Sequence, residues 1–217
     1  MLSLPNVTLC CVYDRVHELH RLAIDECLQR ATFGGVVTGP PPDGMTYERF
    51  VHHELPKQIT TSHLLLIQWD SWIINAGAWH DEFLEYDYVG APWWYKDRYN
   101  VGNSGFCLLS KRLMEFLAEH ENEFPIGQPY DHVLCREYQK RLPQFKWAPD
   151  TLAWHFAFER TAAYPLQEVF GFHGLFNFPI VLDPVQLSDR LHLAGREPHI
   201  TSKPEWAEVM SVARELV

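Results

Sequence analysis

The chain has 217 residues, 47% of them hydrophobic and 21% charged, a globular composition with no low-complexity tract, which excludes disordered and collagen-like classes. A formal net charge of −10, from 28 acidic and 18 basic residues, argues against a nucleic-acid binder that neutralises phosphates over a broad surface and leaves no polybasic membrane anchor. Length predicts one domain over residues 1–217.

Met1 to Cys11 has no basic leader or small-residue cleavage site, and no apolar run approaches the ~20 residues of a membrane span. The sequence therefore reads as soluble and cytoplasmic. Five cysteines, with one adjacent pair and no CxxC, suit neither a disulfide framework nor a zinc knuckle and read as reduced, buried thiols.

Val7 to Val12 is a continuous β-favouring run, the pattern of a parallel strand covered on both faces. Leu19, Leu22, Ala23, Cys27 and Leu28 recur at helical spacing between Val16 and Arg30, and Gly35 to Thr38 makes a second strand stopped by Gly39 and three prolines. A β-α-β start follows. Tyr47 to Ile59 predicts a helix interrupted by Pro56, and His63 to Asp70 predicts a third strand with Asp70 at its carboxyl end, where ligands bind in open α/β sheets. From Trp72 to Tyr99 the chain is crowded with aromatics and predicts a loop-rich aromatic surface. Gly105 to Ser110 predicts a strand, and Lys111 to His120 and Asp131 to Leu142 predict helices. The stretch from about 178 to 217 reads as an irregular tail closed by a helix over Pro204 to Leu216. The alternation makes the fold class α/β.

Asn100 to Phe106 and Phe170 to Gly174 each pack small residues around a polar one, a pattern that lets backbone approach a ligand closely. Together with Gln68-Trp69-Asp70 they point to a site. The four strings LLLIQWDSWIINAGAW (from Leu64), DEFLEYDYVGAPWW (from Asp81), NVGNSGFCLLSKRL (from Asn100) and FGFHGLFN (from Phe170) resemble an uncharacterised glycosyltransferase-like family of bacteria and fungi. That family is related to GT-A-type nucleotide-sugar transferases, and the match runs from about Val7 to Asn177.

The resemblance implies a GT-A-like, Rossmann-like fold with a mixed, mostly parallel sheet between helices. It also implies transfer of a sugar from a nucleoside-diphosphate donor, uridine-based, to a hydroxyl of a glycan or glycolipid in polysaccharide biosynthesis. Where related enzymes carry Asp-x-Asp, this chain has Gln68-Trp69-Asp70, so one carboxylate remains for a divalent cation. Asp70 and His173 are the implied metal ligands, with Mn²⁺ favoured over Mg²⁺ because it accepts imidazole more readily. Asp131 matches the position of the catalytic base of an inverting reaction, and a helix N-cap is the competing reading of that residue. The implied donor contacts are Val12, Tyr13, Asp14, Thr38, Gln68 and Asp70, and the implied acceptor contacts are Trp93, Trp94, Asn103, Ser104 and Gly105. Lys96 and Arg98 are candidates for a lid over the diphosphate, and Glu159 for a second-tier acceptor or structural role. Two other classes fit parts of the pattern. A metal-dependent phosphohydrolase of nucleotide sugars would use Asp70 and histidines, whereas a non-catalytic carbohydrate-binding module would need only the aromatics.

Overall fold

A computed structural model describes residues 1–13, 18–125, 129–160 and 163–216. Asp14, an expected donor contact, lies outside the described residues. The strands in chain order are β1 (Leu2–Val12), β2 (Ala31–Gly39), β3 (His63–Ile67), β4 (Ser71–Ile73), β5 (Tyr88–Val89), β6 (Ala91–Pro92), β7 (Val101–Gly102), β8 (Phe106–Ser110), β9 (Ala157–Phe158) and β10 (Gly171–His173).

The central sheet has the order β2-β1-β3-β8-β5. β2 and β3 both pair in parallel with β1, while β8 runs antiparallel to its neighbours β3 and β5. Four of the five strands therefore share one direction. A smaller sheet, β4-β10-β9, lies on one side, and β6 pairs with β7. The registers Cys11↔Thr38 and Cys10↔Leu66 bring the carboxyl ends of β1, β2 and β3 to one edge.

Alternation along the strands divides the interior into two cores. Leu9 and Cys11 of β1, Leu65 and Ile67 of β3 and Phe106 and Leu108 of β8 face one, with Leu19, Ala23 and Cys27 of the helix Glu18–Arg30. Cys10, Val12, Leu64, Leu66, Cys107 and Leu109 face the other, against Val51, Leu55, Leu113, Leu117, Leu134 and Tyr138. Both faces are covered, which is why β1 and β3 read as unbroken apolar runs. All five cysteines are buried free thiols, and burial pushes the thiol of Cys27 up to about 12.

Two expectations need correction. The stretch after Asn177 is largely helical: Phe178–Val181, Pro184–Ala194 and Pro198–Thr201 precede the predicted helix Pro204–Leu216. Pro184 and Pro198 open helices because a first-turn residue has no intrahelical use for its N–H, and Asp183 closes a capping box with Gln186. The aromatic stretch, in turn, is mostly interior. Trp72, Phe83 and Tyr88 are fully buried, with Trp72 edge-on to Phe172 at 4.6 Å, whereas Trp94 is 68% exposed.

Candidate active site

A cleft of about 770 Å³ opens at the carboxyl edge of β1–β3. Its walls include Val12, Tyr13, Gln68, Trp69, Ser104 and Asp131, together with the loop from Pro40 to Glu48, His20 and His199. The loop after β2 and the helical turn carrying His199 were not singled out in the sequence. Three carboxylates, Asp43, Glu48 and Asp131, line the cleft, and no Lys or Arg is among the described residues that do so.

Asp131 stands in the first turn of the helix that begins at Tyr130, with Pro129 as the N-cap residue. It is therefore not the cap, and one of its carboxylate oxygens accepts the N–H of His132 at 2.8 Å. The helix continues through a wider π turn, Val133–Tyr138, to Arg141.

The structure brings together Asp70 and His173, which are 103 residues apart in sequence. β10 pairs with β4 in the register His173↔Ser71, and Asp70 is fixed from behind by the N–H of Leu175, which donates to Oδ2 at 3.2 Å. Asp70 Oδ1 and His173 Nε2 face each other at 3.6 Å. Both atoms are buried without a hydrogen-bond partner among the described residues, and 3.6 Å is too long for a hydrogen bond between them. On the other side of the ring, Glu159 Oε1 lies 3.6 Å from Nδ1. Burial opposes a charge on His173, but the carboxylates of Asp70 and Glu159 outweigh it and raise its pKa above the ordinary histidine value. Burial likewise opposes the Glu159 charge, which His173 nevertheless holds below the usual carboxylate range.

A buried carboxylate oxygen without a partner fits a hard divalent cation. Among the described residues no three His, Cys, Asp or Glu side chains converge as a metal-holding group, so water or ligand oxygens would have to complete the shell of a cation at Asp70.

Asn103 is 2% exposed and, at φ 70°, occupies the left-handed region, which asparagine tolerates better than most residues. Its Oδ1 accepts the N–H groups of Gly105 at 2.7 Å and Phe106 at 3.3 Å, its Nδ2 reaches His173 Nδ1 at 2.9 Å, and its carbonyl accepts the Tyr88 hydroxyl. The amide is thus committed beneath the site. Gly105 is required by proximity, because a Cβ there would lie 2.1 Å from the His173 ring.

Of the other expected contacts, Thr38 is exposed on the edge strand β2 and does not line the cleft. Trp93 is buried, packed over Gly102 and 5.0 Å from His132. Trp94 projects beside Tyr95, their ring centres 5.5 Å apart. Arg136 stacks on Tyr95 at 3.8 Å and pairs bidentately with Asp97 at 2.8 and 3.0 Å, fixing this loop to the helix of Asp131. Arg98 is engaged with the Tyr99 hydroxyl, and neither it nor Lys96 lines the cleft.

Asp87 was not foreseen. It is buried and receives Ser110 Oγ, Arg112 Nε and Nη2, and the Lys146 N–H, tying β5, β8 and the segment before Trp147 together. Burial opposes its charge, but the Arg112 and Ser110 hydrogen bonds hold its carboxyl below the usual range.

The fold is a mixed α/β one. The chain is similar to the crystal structure of a glycosyltransferase involved in the glycosylation of the major capsid of PBCV-1, at 16% identity and a TM-score of 0.50, over 77% of this chain and 91% of that one. This likeness shows the fold, a mostly parallel central sheet flanked by helices, as the sequence resemblance implied. Residues 45–173 match the model of DUF5672, described as a protein of unknown function, and the chain belongs to that family. No curated protein matches it. No helix among the described residues is long and apolar enough to cross a membrane.

Proposed function

We propose that the protein transfers a sugar from a nucleoside-diphosphate donor, uridine-based, to a hydroxyl of a glycan or glycolipid, with inversion at the anomeric carbon. The observation that carries this reading is the cleft at the carboxyl ends of β1–β3, lined by Gln68, Trp69, Ser104 and Asp131; Asp70, next in sequence after Trp69, is buried with one oxygen that has no partner among the described residues.

Asp131 takes the proton of the acceptor hydroxyl as that oxygen attacks the anomeric carbon. The carbon–oxygen bond to the diphosphate breaks, and its electron pair leaves with the nucleotide. Val12 and Tyr13 contact the nucleoside, and Gln68 hydrogen-bonds its ribose. The cleft's carboxylates, without a lining Lys or Arg among the described residues, would repel a diphosphate; a divalent cation held at Asp70, Mn²⁺ or Mg²⁺, would supply the compensating charge. Trp94, exposed and beside Tyr95, the ring on which Arg136 stacks, offers a face to the acceptor sugar.

Asp131→Asn is expected to bind uridine diphosphate as wild type does, measured by calorimetry, and to lose sugar transfer. Retained transfer would overturn the role of Asp131. Donor hydrolysis that is indifferent to every acceptor would overturn the transferase reading itself.

A further inference from the structure

We propose that Asn103 sets the tautomer of His173, so that Nε2 carries the hydrogen and the imidazole serves the site as an N–H donor instead of a cation ligand. The inference deepens the preceding reading and rests on it only for the identity of the acceptor of that hydrogen.

The two ends of the Asn103 amide are distinguished by their surroundings. One end meets the backbone N–H groups of Gly105 at 2.7 Å and Phe106 at 3.3 Å, so it must be the oxygen. The other end is then the NH₂ group, and it lies 2.9 Å from His173 Nδ1. An NH₂ group donates, so Nδ1 must offer its lone pair. Glu159 would favour the opposite tautomer, but its nearest oxygen is 3.6 Å from Nδ1, outside hydrogen-bond range. With Nδ1 accepting, the single hydrogen of the neutral ring sits on Nε2, the atom that is buried without a partner among the described residues and faces Asp70 Oδ1.

A protonated ring nitrogen has no lone pair for a metal. Nε2–H instead suits an oxygen next to Asp70: a phosphoryl oxygen of the diphosphate, or a water attached to a cation there. Gly105 lies against the ring so closely that even a methyl there would clash. Asn103 is therefore a positioning residue acting through His173.

The direct test is the two-bond ¹H–¹⁵N spectrum of protein labelled with ¹⁵N-histidine, at pH 9 and without ligands, with His173 assigned by its absence in His173→Gln. The expected result is a protonated-type nitrogen at Nε2 and an unprotonated one at Nδ1. A hydrogen on Nδ1 would overturn the proposal. A second variant, Asn103→Asp, keeps the oxygen for Gly105 and Phe106 but replaces the NH₂ donor with an acceptor. It is expected to move the hydrogen to Nδ1, assigning the ring independently should His173→Gln not fold. A ring unchanged by Asn103→Asp would show that Asn103 does not set the tautomer. Neither spectrum depends on sugar transfer, so failure of the transferase reading would leave this result standing.

Discussion

Gly105→Ala tests whether His173 is held in a built position. The backbone at Gly105 is outside the left-handed region, so alanine introduces no conformational strain there and acts only through contact. Its methyl would lie 2.1 Å from Cδ2 and Nε2 of His173, against the ~3.5–4 Å at which carbon atoms pack. Relief requires a displacement of roughly 1.5 Å, taken by the ring or by the start of β8. Insertion of a methyl into a filled site costs about 1–3 kcal/mol, and at ~2–4 °C per kcal/mol for a chain of this size the melting temperature should fall by about 2–12 °C. A ring moved by more than 1 Å no longer addresses the Asp70 side, so sugar transfer should fall by about 100-fold. Thermal denaturation and turnover of the same preparation measure both effects. A variant with wild-type melting temperature and wild-type turnover would refute the claim that Gly105 and His173 form one fitted unit.

Trp94→Ala, at a side chain 68% exposed, should change stability by no more than about 0.5 kcal/mol while raising the acceptor KM and leaving donor binding unaltered, as read by steady-state kinetics and calorimetry. Asp87→Asn removes charge-assisted hydrogen bonds from Arg112 and should cost about 2–3 kcal/mol at pH 7 by urea denaturation. Because the folded-state pKa of Asp87 is depressed, its contribution is present above the unfolded value of about 3.9 and is lost as pH falls through the folded value; the variant should therefore lose less stability than wild type below about pH 4. His52 is fully buried against Tyr130 at 3.8 Å, and desolvation, with the neighbouring His53, lowers its pKa to about 3. The unfolded chain binds the extra proton between pH 6.5 and 3, so stability should decline through that window at up to ~1.4 kcal/mol per pH unit, and His52→Leu should flatten the slope in denaturation curves taken across it.

The elements legible in the sequence are those whose pattern depends on local burial. Val7–Val12 and His63–Ile67 announce β1 and β3 because parallel strands covered on both faces must be apolar throughout. The helices Lys111–Glu119 and Pro204–Leu216 follow directly from their periodicity. The helices beginning at Pro184 and Pro198 lie in the stretch that reads as an irregular tail, although proline at the first helical position serves as a starter. The aromatic run suggested surface, yet Trp72 and Phe83 fill one core together with Phe172 and Phe156 from far along the chain, and that pairing has no local signature. The same holds within the site. Asp70, Asp131 and His173 stood out through motif order, whereas the contacts of Asn103 with His173 and of Asp87 with Arg112 depend on register between distant segments. The Asp-Tyr pair in the DEFLEYDYVGAPWW string was the available signal for Asp87, because a carboxylate that opens an otherwise apolar strand needs a buried partner.

The central claim is that this cleft binds a nucleoside diphosphate with the help of a cation at Asp70. Calorimetric titration of uridine diphosphate into the wild type and Asp70→Ala, each with and without Mn²⁺, tests it most directly. The account predicts binding by the wild type in Mn²⁺ and its loss both on removal of Mn²⁺ and in Asp70→Ala. Equal binding in all four titrations, or none in any, would contradict it.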